Sequence, residues 1–313
     1  MVETVVSYKL PVSEHLVIQK NRFLPEDGKQ NIGRISIVTG IHGDELEGQY
    51  ICYEIVRRMK QHPEYLNGTV DIYPALNPLG IDSATRDIPK LNMDMNRMFP
   101  GSVKGTMMDK VAAKIVEDIA GADFCVDIHA SDRFVRELPQ VRIGEEYAQN
   151  VVDYAKLLNA DIIWVNASAS AHDATLTHSL NAISVPAVVV EMGIGNQIDR
   201  ECGNQIIDGI FYLMNRLGFW SGPVTKARSA AVCRDDGIDF LRAQSAGIFL
   251  PEVKNGTRIS QGELIGKIVK PLTGELKETV YAKHSGLIFT LREYPVVYEG
   301  ALLARVLTEE QMR

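Results

Sequence analysis

Long apolar runs are missing from this chain: the run at residues 185–190 is far short of the roughly 20 residues that a membrane-spanning helix needs. The first residues, 1–13, hold no basic stretch followed by an apolar segment, so no export signal is read there and a cytoplasmic protein is expected. Cysteine is scarce, and Cys52, Cys125, Cys202 and Cys233 lie far apart with no CxxC spacing. That argues against both a disulfide framework and a thiolate zinc site. Positive charge is outweighed, with 33 Lys and Arg against 40 Asp and Glu and a net charge of -7. The two signs are interspersed, so no basic stripe is available to follow a phosphate backbone, and nucleic acid is not an expected partner.

What remains is an ordinary globular composition, 45% hydrophobic and 23% charged, in a chain of 313 residues. A single core rarely grows much past about 250 to 300 residues, so a large domain with a smaller one is expected. Residues 33–39 read as a strand that runs apolar into Gly-Ile-His-Gly, residues 47–61 carry apolar side chains at helical spacing, and residues 69–74 read as a strand. The alternation continues with a helix at 107–120, a strand at 124–128, a helix at 146–159, a buried strand at 186–191 and a helix at 203–217. Strands alternating with helices predict a mixed, largely parallel sheet covered on both faces, with ligands beyond the carboxyl ends of its strands. After Gly218 the chain breaks into short Gly-paced segments, which predict a small all-β, barrel-like module. The expected division is 1–225 and 226–313.

Chemistry-bearing residues gather at the predicted strand ends. His42-Gly-Asp-Glu45 ends one strand, and an i, i+3 imidazole and carboxylate are two of the three protein ligands that a hydrolytic zinc usually takes. Taken alone, the tetrapeptide equally suits a turn or a cap. His129 ends a second strand, where a lone histidine is more often structural; opening on the same sheet edge, it would complete a His, Glu, His triad. Asp127, two residues earlier, suits either a partner for an imidazole N–H or a buried structural carboxylate. Glu191 ends a very apolar strand, a costly place for a carboxylate without a partner or a purpose, and beside a metal-activated water it would serve as general base. Residues 77–101 have no clear period and hold Arg86 and Arg97, whose guanidiniums suit a substrate carboxylate or a developing oxyanion unless both are merely solvated.

In order, Gly-Ile-His42-Gly-Asp-Glu45, Asn77-Pro with Arg86, Asp94-Met-Asn96-Arg97-Met-Phe99, Asp127-Ile-His129 and Val190-Glu191-Met-Gly193 resemble the succinylglutamate desuccinylase/aspartoacylase family, relatives of the zinc carboxypeptidases. The resemblance implies one Zn2+ per chain on His42, Glu45 and His129, with Glu191 as base. It implies that Arg86 polarises the scissile carbonyl and that Asn96 and Arg97 hold a substrate carboxylate. The interval from Arg86 to Asn96 is a few residues longer than in aspartoacylases. It also implies a small-molecule substrate, a homo-oligomer, and a tyrosine from the C-terminal module, Tyr294 or Tyr298, near the substrate. That module has neither the Met-Lys-Met of biotin carriers nor the Asp-Lys-Ala of lipoyl domains, so no attached group is expected.

The function expected is therefore zinc-dependent hydrolysis of the amide bond of a small N-acyl amino acid. A metallocarboxypeptidase acting on short peptides would share the constellation, and the size of the pocket mouth would separate the two. A non-catalytic binding protein would typically have lost one of the four residues. Arg133 and Arg136 would favour an acidic substrate side chain, and Asp132 and Glu137 a cationic one, and all four equally suit a solvated surface. His172 and His178 lie in a Ser/Ala/Thr-rich stretch and suit a pocket wall rather than the metal.

Overall fold

The computed structural model describes residues 1–89, 91–167 and 174–311. The chain opens on an antiparallel pair, β1 (Val2–Lys9) and β2 (His15–Phe23), and then enters β3 (Arg34–Thr39), α1 (Glu47–Gln61) and β4 (Thr69–Tyr73). A short α2 (Pro78–Ser83) is followed by α3 (Met107–Ile119), β5 (Phe124–Ala130) and the long β6 (Val135–Gly144). Next come α4 (Ala148–Ala155), β7 (Ile162–Asn166), α5 (Leu176–Ala182), β8 (Ala187–Gly193) and α6 (Arg200–Arg216). The remainder is all strand: β9 (Ala231–Arg234), β10 (Ile238–Arg242), β11 (Gly247–Pro251), β12 (Arg258–Ile259), β13 (Leu264–Lys270), β14 (Glu275–Tyr281), β15 (Gly286–Arg292), β16 (Val296–Val297) and β17 (Leu302–Thr308).

Among the described residues the strands form a 13-stranded mixed sheet, with main order β1-β2-β4-β3-β5-β8-β6-β15-β17-β10, and a 4-stranded sheet, β14-β13-β11-β16. Pairing is parallel at the centre, β4 through β3 and β5 to β8, antiparallel where β2 and β6 flank it, and parallel again in the branch from β6 through β7 to β9. The central strands are buried on both faces, which is why β3 and β5 read as nearly continuous apolar runs. Their side chains divide between two cores. Ile37, Val126 and Val190 pack under α1, α4 and α6, while Val38, Cys125 and Ala187 pack under α3 and α5.

Helix boundaries follow local chemistry. A capping box between Thr106 and Asp109 starts α3, and the Asp199 carboxylate accepts two backbone N–H groups at the start of α6. The predicted helix at 146–159 is shorter, as α4 with a single tight turn before it. The C-terminal residues are all β, as expected, but they do not stand apart from the main sheet: β9 runs parallel to β7, and β15 pairs antiparallel with β6. The join exists because β6, unforeseen from the sequence, pairs with β15 directly and with β7, which in turn carries β9. No helix among the described residues is long and apolar enough to cross a membrane.

Candidate active site

Three strand ends build the site. From β3 the chain passes through Gly40 into the tight loop carrying His42 and Glu45, and a Cβ at Gly43 would run into the Gly80 backbone, so α2 packs flush against this loop. Asn77 caps α2 by accepting from Gly80 N at 2.9 Å, and Gly43 N donates to Arg86 O, tying the two loops together. At the end of β5 stands His129, and directly opposite it in the register of β8 stands Glu191. All four line a cavity of about 860 Å3 whose floor is the sheet face bearing Ala187, Val189 and Arg142.

His42, Glu45 and His129 converge, with ligand atoms all within 4.8 Å of one another and all three side chains buried. His42 Nδ1 lies 2.7 Å from Glu45 Oε1, His129 Nδ1 lies 2.8 Å from Glu45 Oε2, and the two Nδ1 atoms face each other at 3.2 Å. Behind the rings the other nitrogens also meet acids: His42 Nε2 is 3.1 Å from Asp94 Oδ1, and His129 Nε2 is 3.2 Å from Asp127 Oδ2, out of line for a hydrogen bond. Burial disfavours charge on both rings, yet the Glu45 and Asp94 carboxylates around His42, and Asp127 and Glu45 around His129, raise both imidazoles above their ordinary value. Burial likewise opposes ionisation of Glu45, and the two rings overcome it and hold its carboxyl well below the usual range. Asp94 is held down to about 2, against its own burial, by the His42 hydrogen bond and by the charges of His42 and Arg86.

This donor set fits a metal. Two imidazole nitrogens and a carboxylate oxygen stand at spacings near the roughly 3.3 Å edge of a tetrahedral zinc site, each ring carries an acid behind it, and both Asp127 oxygens are buried without a hydrogen-bond partner among the described residues. A cation at the centre would take the place of the protons that otherwise keep the rings charged.

The other expected residues divide. Arg86 donates to Glu45 Oε1 at 2.9 Å and has Asp94 at 3.7 Å. Buried Asn96 lines the cavity and fixes α5 by accepting from Leu176 N at 3.1 Å. Arg97, exposed within the cavity wall, bonds only its neighbour's carbonyl, Asn96 O, and has no carboxylate partner among the described residues. Arg133 and Tyr298 are not brought in: the Arg133 guanidinium lies over the Phe134 ring and lines no part of the cavity, and Tyr298 is 74% exposed in the turn before β17. Arg136 points away into ion pairs with Asp199 and Glu293. His178 lines the wall with its Nδ1 3.0 Å from Glu146, whereas His172 lies outside the described residues.

Glu137, read from the sequence as a possible partner for a cationic substrate, is instead 1% exposed and gripped by two guanidiniums. Arg142 donates to both Glu137 oxygens at 2.9 Å and, with its other arm, to Glu191 Oε1 at 3.0 Å; Arg305 donates to Glu137 from β17. Burial, reinforced by the charges of Glu137 and Glu45, pushes the Glu191 carboxyl up to about 7 against the pull of Arg142. Arg142 and Arg305 were both missed in the sequence. The signal for Arg305 was present, because one cation inside Leu302-Leu-Ala-Arg-Val-Leu-Thr308 requires a buried partner.

A sequence model described as the succinylglutamate desuccinylase/aspartoacylase catalytic domain matches residues 31–217. The N-alpha-acetyl-L-2,4-diaminobutyric acid deacetylase of Halomonas elongata is 22% identical over 277 residues, covering 85% of this chain and 80% of the relative. Among solved structures, a succinylglutamate desuccinylase from Silicibacter sp. TM1040 superposes with a TM-score of 0.82 at 20% identity, covering 97% of this chain and 94% of the other. The product-bound ectoine utilization protein EutE (DoeB) from Ruegeria pomeroyi gives the same TM-score, 0.82, at 20% identity and the same coverage, 97% and 94%. With three strand ends converging in the order its motifs require, and its catalytic-domain model matched over more than half of the chain, this protein belongs to the succinylglutamate desuccinylase/aspartoacylase family.

Proposed function

We propose that this chain is a zinc-dependent amidohydrolase that cleaves a small N-acyl amino acid into a carboxylate and an amine, with one zinc per chain. The observation that carries the proposal is the convergence of His42 Nδ1, His129 Nδ1 and the Glu45 carboxylate on one point of the cavity wall, with Glu191 on the adjoining strand. His42, Glu45 and His129 hold the metal, which when bound polarises the scissile carbonyl and lowers the pKa of water toward neutrality. Asp94, hydrogen-bonded to His42 Nε2, steadies the outer nitrogen of that ring in the tautomer that presents Nδ1, and the Asp127 carboxylate lies beside the outer nitrogen of His129.

Glu191 takes the proton from the attacking water and returns it to the leaving amine. Its partial burial keeps the carboxylate a strong enough base for that task, against the pull of Arg142. Arg86, whose guanidinium donates to Glu45 Oε1, supplies the positive charge that stabilises the carbonyl oxygen. Asn96 and Arg97 supply donors on the cavity wall for the carboxylate of the amino-acid half.

A cavity of about 860 Å3 has room for a small acyl amino acid. The name of the Halomonas relative, a deacetylase of an N-acetylated amino acid, supports the same substrate class. The test is direct: purify the protein, measure zinc by elemental analysis, and screen N-acetyl and N-succinyl amino acids beside short peptides. Wild type should hold one zinc and release amine from an acyl amino acid, and His42→Ala should lose the metal. A folded, zinc-replete protein that hydrolyses none of these compounds would overturn the proposal.

A further inference from the structure

We infer that Arg142 is the positioning residue for Glu191, and that the C-terminal β segment, through Arg305 acting on Glu137, holds Arg142 where it must be. The inference rests on the proposed role of Glu191 as base.

Four charged side chains from β6, β8 and β17, Glu137 buried and the other three partly buried, form one chain of contacts. Glu137 on β6 is the hub. Both of its oxygens accept from Arg142 at 2.9 Å, and Oε1 also accepts from Arg305 and, at 3.3 Å, from Thr290 Oγ1 of β15. Arg142 has one arm of its fork on Glu137 and the other, Nη1, on Glu191 Oε1 at 3.0 Å. A planar guanidinium anchored by two bonds at one end has little freedom at the other, so the direction of Nη1 sets the direction of Glu191.

The surroundings fix the fork further. The guanidinium carbons of Arg142 and Arg305 lie 5.4 and 5.3 Å from the Trp164 ring centroid, and Trp164 Nε1 donates to Asp235 Oδ1 at 2.7 Å, so the indole is itself locked. Two cations here share the single carboxylate of Glu137, and Glu191 is the next carboxylate within reach of Arg142. Each member of the network therefore has a task beyond packing: Arg305 offsets Glu137, Glu137 clamps Arg142, and Arg142 aims Glu191. Arg305 is the only contribution of β17 to this chain of contacts among the described residues. It makes the C-terminal segment part of the active site without touching substrate.

The geometry separates the roles of the two arginines. Arg305 reaches Glu137 with one nitrogen, a bond that a lysine ammonium can replace, whereas Arg142 spans two carboxylates, which a lysine cannot do. In the zinc-loaded enzyme, Arg305→Met is expected to lower kcat by at least about tenfold with KM within about threefold, since misplacing a catalytic group by about 1 Å can reduce rate about a hundredfold. Arg305→Lys should restore kcat to within about threefold of wild type, while Arg142→Lys should remain as impaired as Arg305→Met. Zinc content and KM should stay close to wild type in all of these variants. Crystal structures supply a readout independent of turnover: the Arg142–Glu191 bond should be broken in Arg305→Met and present in Arg305→Lys.

Wild-type kcat in Arg305→Met, or equal losses in Arg305→Lys and Arg142→Lys together with lost zinc, would overturn the inference in favour of a purely structural network. If wild type itself hydrolyses no acyl amino acid, the proposed function has failed. The crystallographic comparison then still decides whether Arg305 controls where Arg142 holds Glu191.

Discussion

His129 and Glu191 stand opposite one another as register partners on the parallel strands β5 and β8. Side chains of paired residues emerge on the same face of a sheet, so a metal-type ligand and a carboxylate are set side by side by backbone pairing alone. Neither position needs a flexible loop.

One consequence is a pH profile. Burial pushes Glu191 up to about 7 in the metal-free chain, and a dication held by His42, Glu45 and His129 would pull it down again. A base must be ionised to act, so activity is retained above its pKa and lost as pH falls through it. The zinc enzyme should therefore show an acid limb in kcat/KM with its inflection below 7, and Glu191→Gln should keep its zinc yet lose turnover by about a hundredfold or more. A profile flat from about pH 5 to 8, or full activity in Glu191→Gln, would remove Glu191 from the chemistry.

Much of this was legible in the sequence, and the reason is physical. The central strands β3, β5 and β8 are buried on both faces, so they stand out as apolar runs, and the polar residue ending each run is conspicuous. His42, His129 and Glu191 were visible for that reason. β6 was not visible, because Val135-Arg-Glu-Leu-Pro-Gln-Val-Arg-Ile-Gly144 mixes charges with apolar residues and reads as a solvated loop. Its Glu137 is inside because it pairs with Arg142 and with Arg305, which lies 168 positions away from Glu137. Periodicity cannot report a partner so distant along the chain. Tyr298 fails for the converse reason: a tyrosine in a short turn gives no sign of which way the turn faces, and this one faces out.

The unpaired guanidinium of Arg97 leads to a second expectation. It lines the cavity, bonds only the Asn96 carbonyl, and has no carboxylate neighbour among the described residues, so its charge is available to a ligand. A hydrogen bond to a charged group contributes about 1.5 to 3 kcal/mol, or roughly ten- to a hundredfold in affinity. Arg97→Ala should therefore raise KM by about that factor with kcat little changed, and the loss should vanish for a substrate whose carboxylate is replaced by an amide. Equal KM values for wild type and variant on the carboxylate substrate would show that the anchor lies elsewhere.

A third expectation concerns a residue with no side chain. Gly43 sits between His42 and Asp44, and a Cβ there would overlap the backbone of Gly80 in α2, which has no flexible tip to move aside. The strain has two outlets. Either α2 is displaced, which loosens Asn77 and the carbonyl of Arg86 that Gly43 N bonds, or the loop moves and carries His42 and Glu45 out of register with His129. Both outlets damage the same cluster. Gly43→Ala should lower stability by about 1 to 3 kcal/mol, the usual range for overpacking, and should weaken zinc binding more than a comparable overpacking elsewhere in the core. Gly262→Ala is the matching control: its φ of +81° strains an alanine, but no heavy atom lies within 4 Å of the added Cβ and the site is remote from the cavity, so stability should fall while zinc affinity stays at the wild-type value. Competition of each variant against a zinc chelator, alongside denaturant unfolding of the metal-free proteins, separates the two effects. Undiminished zinc affinity in Gly43→Ala would mean that the His42 loop is not held in place by its contact with α2.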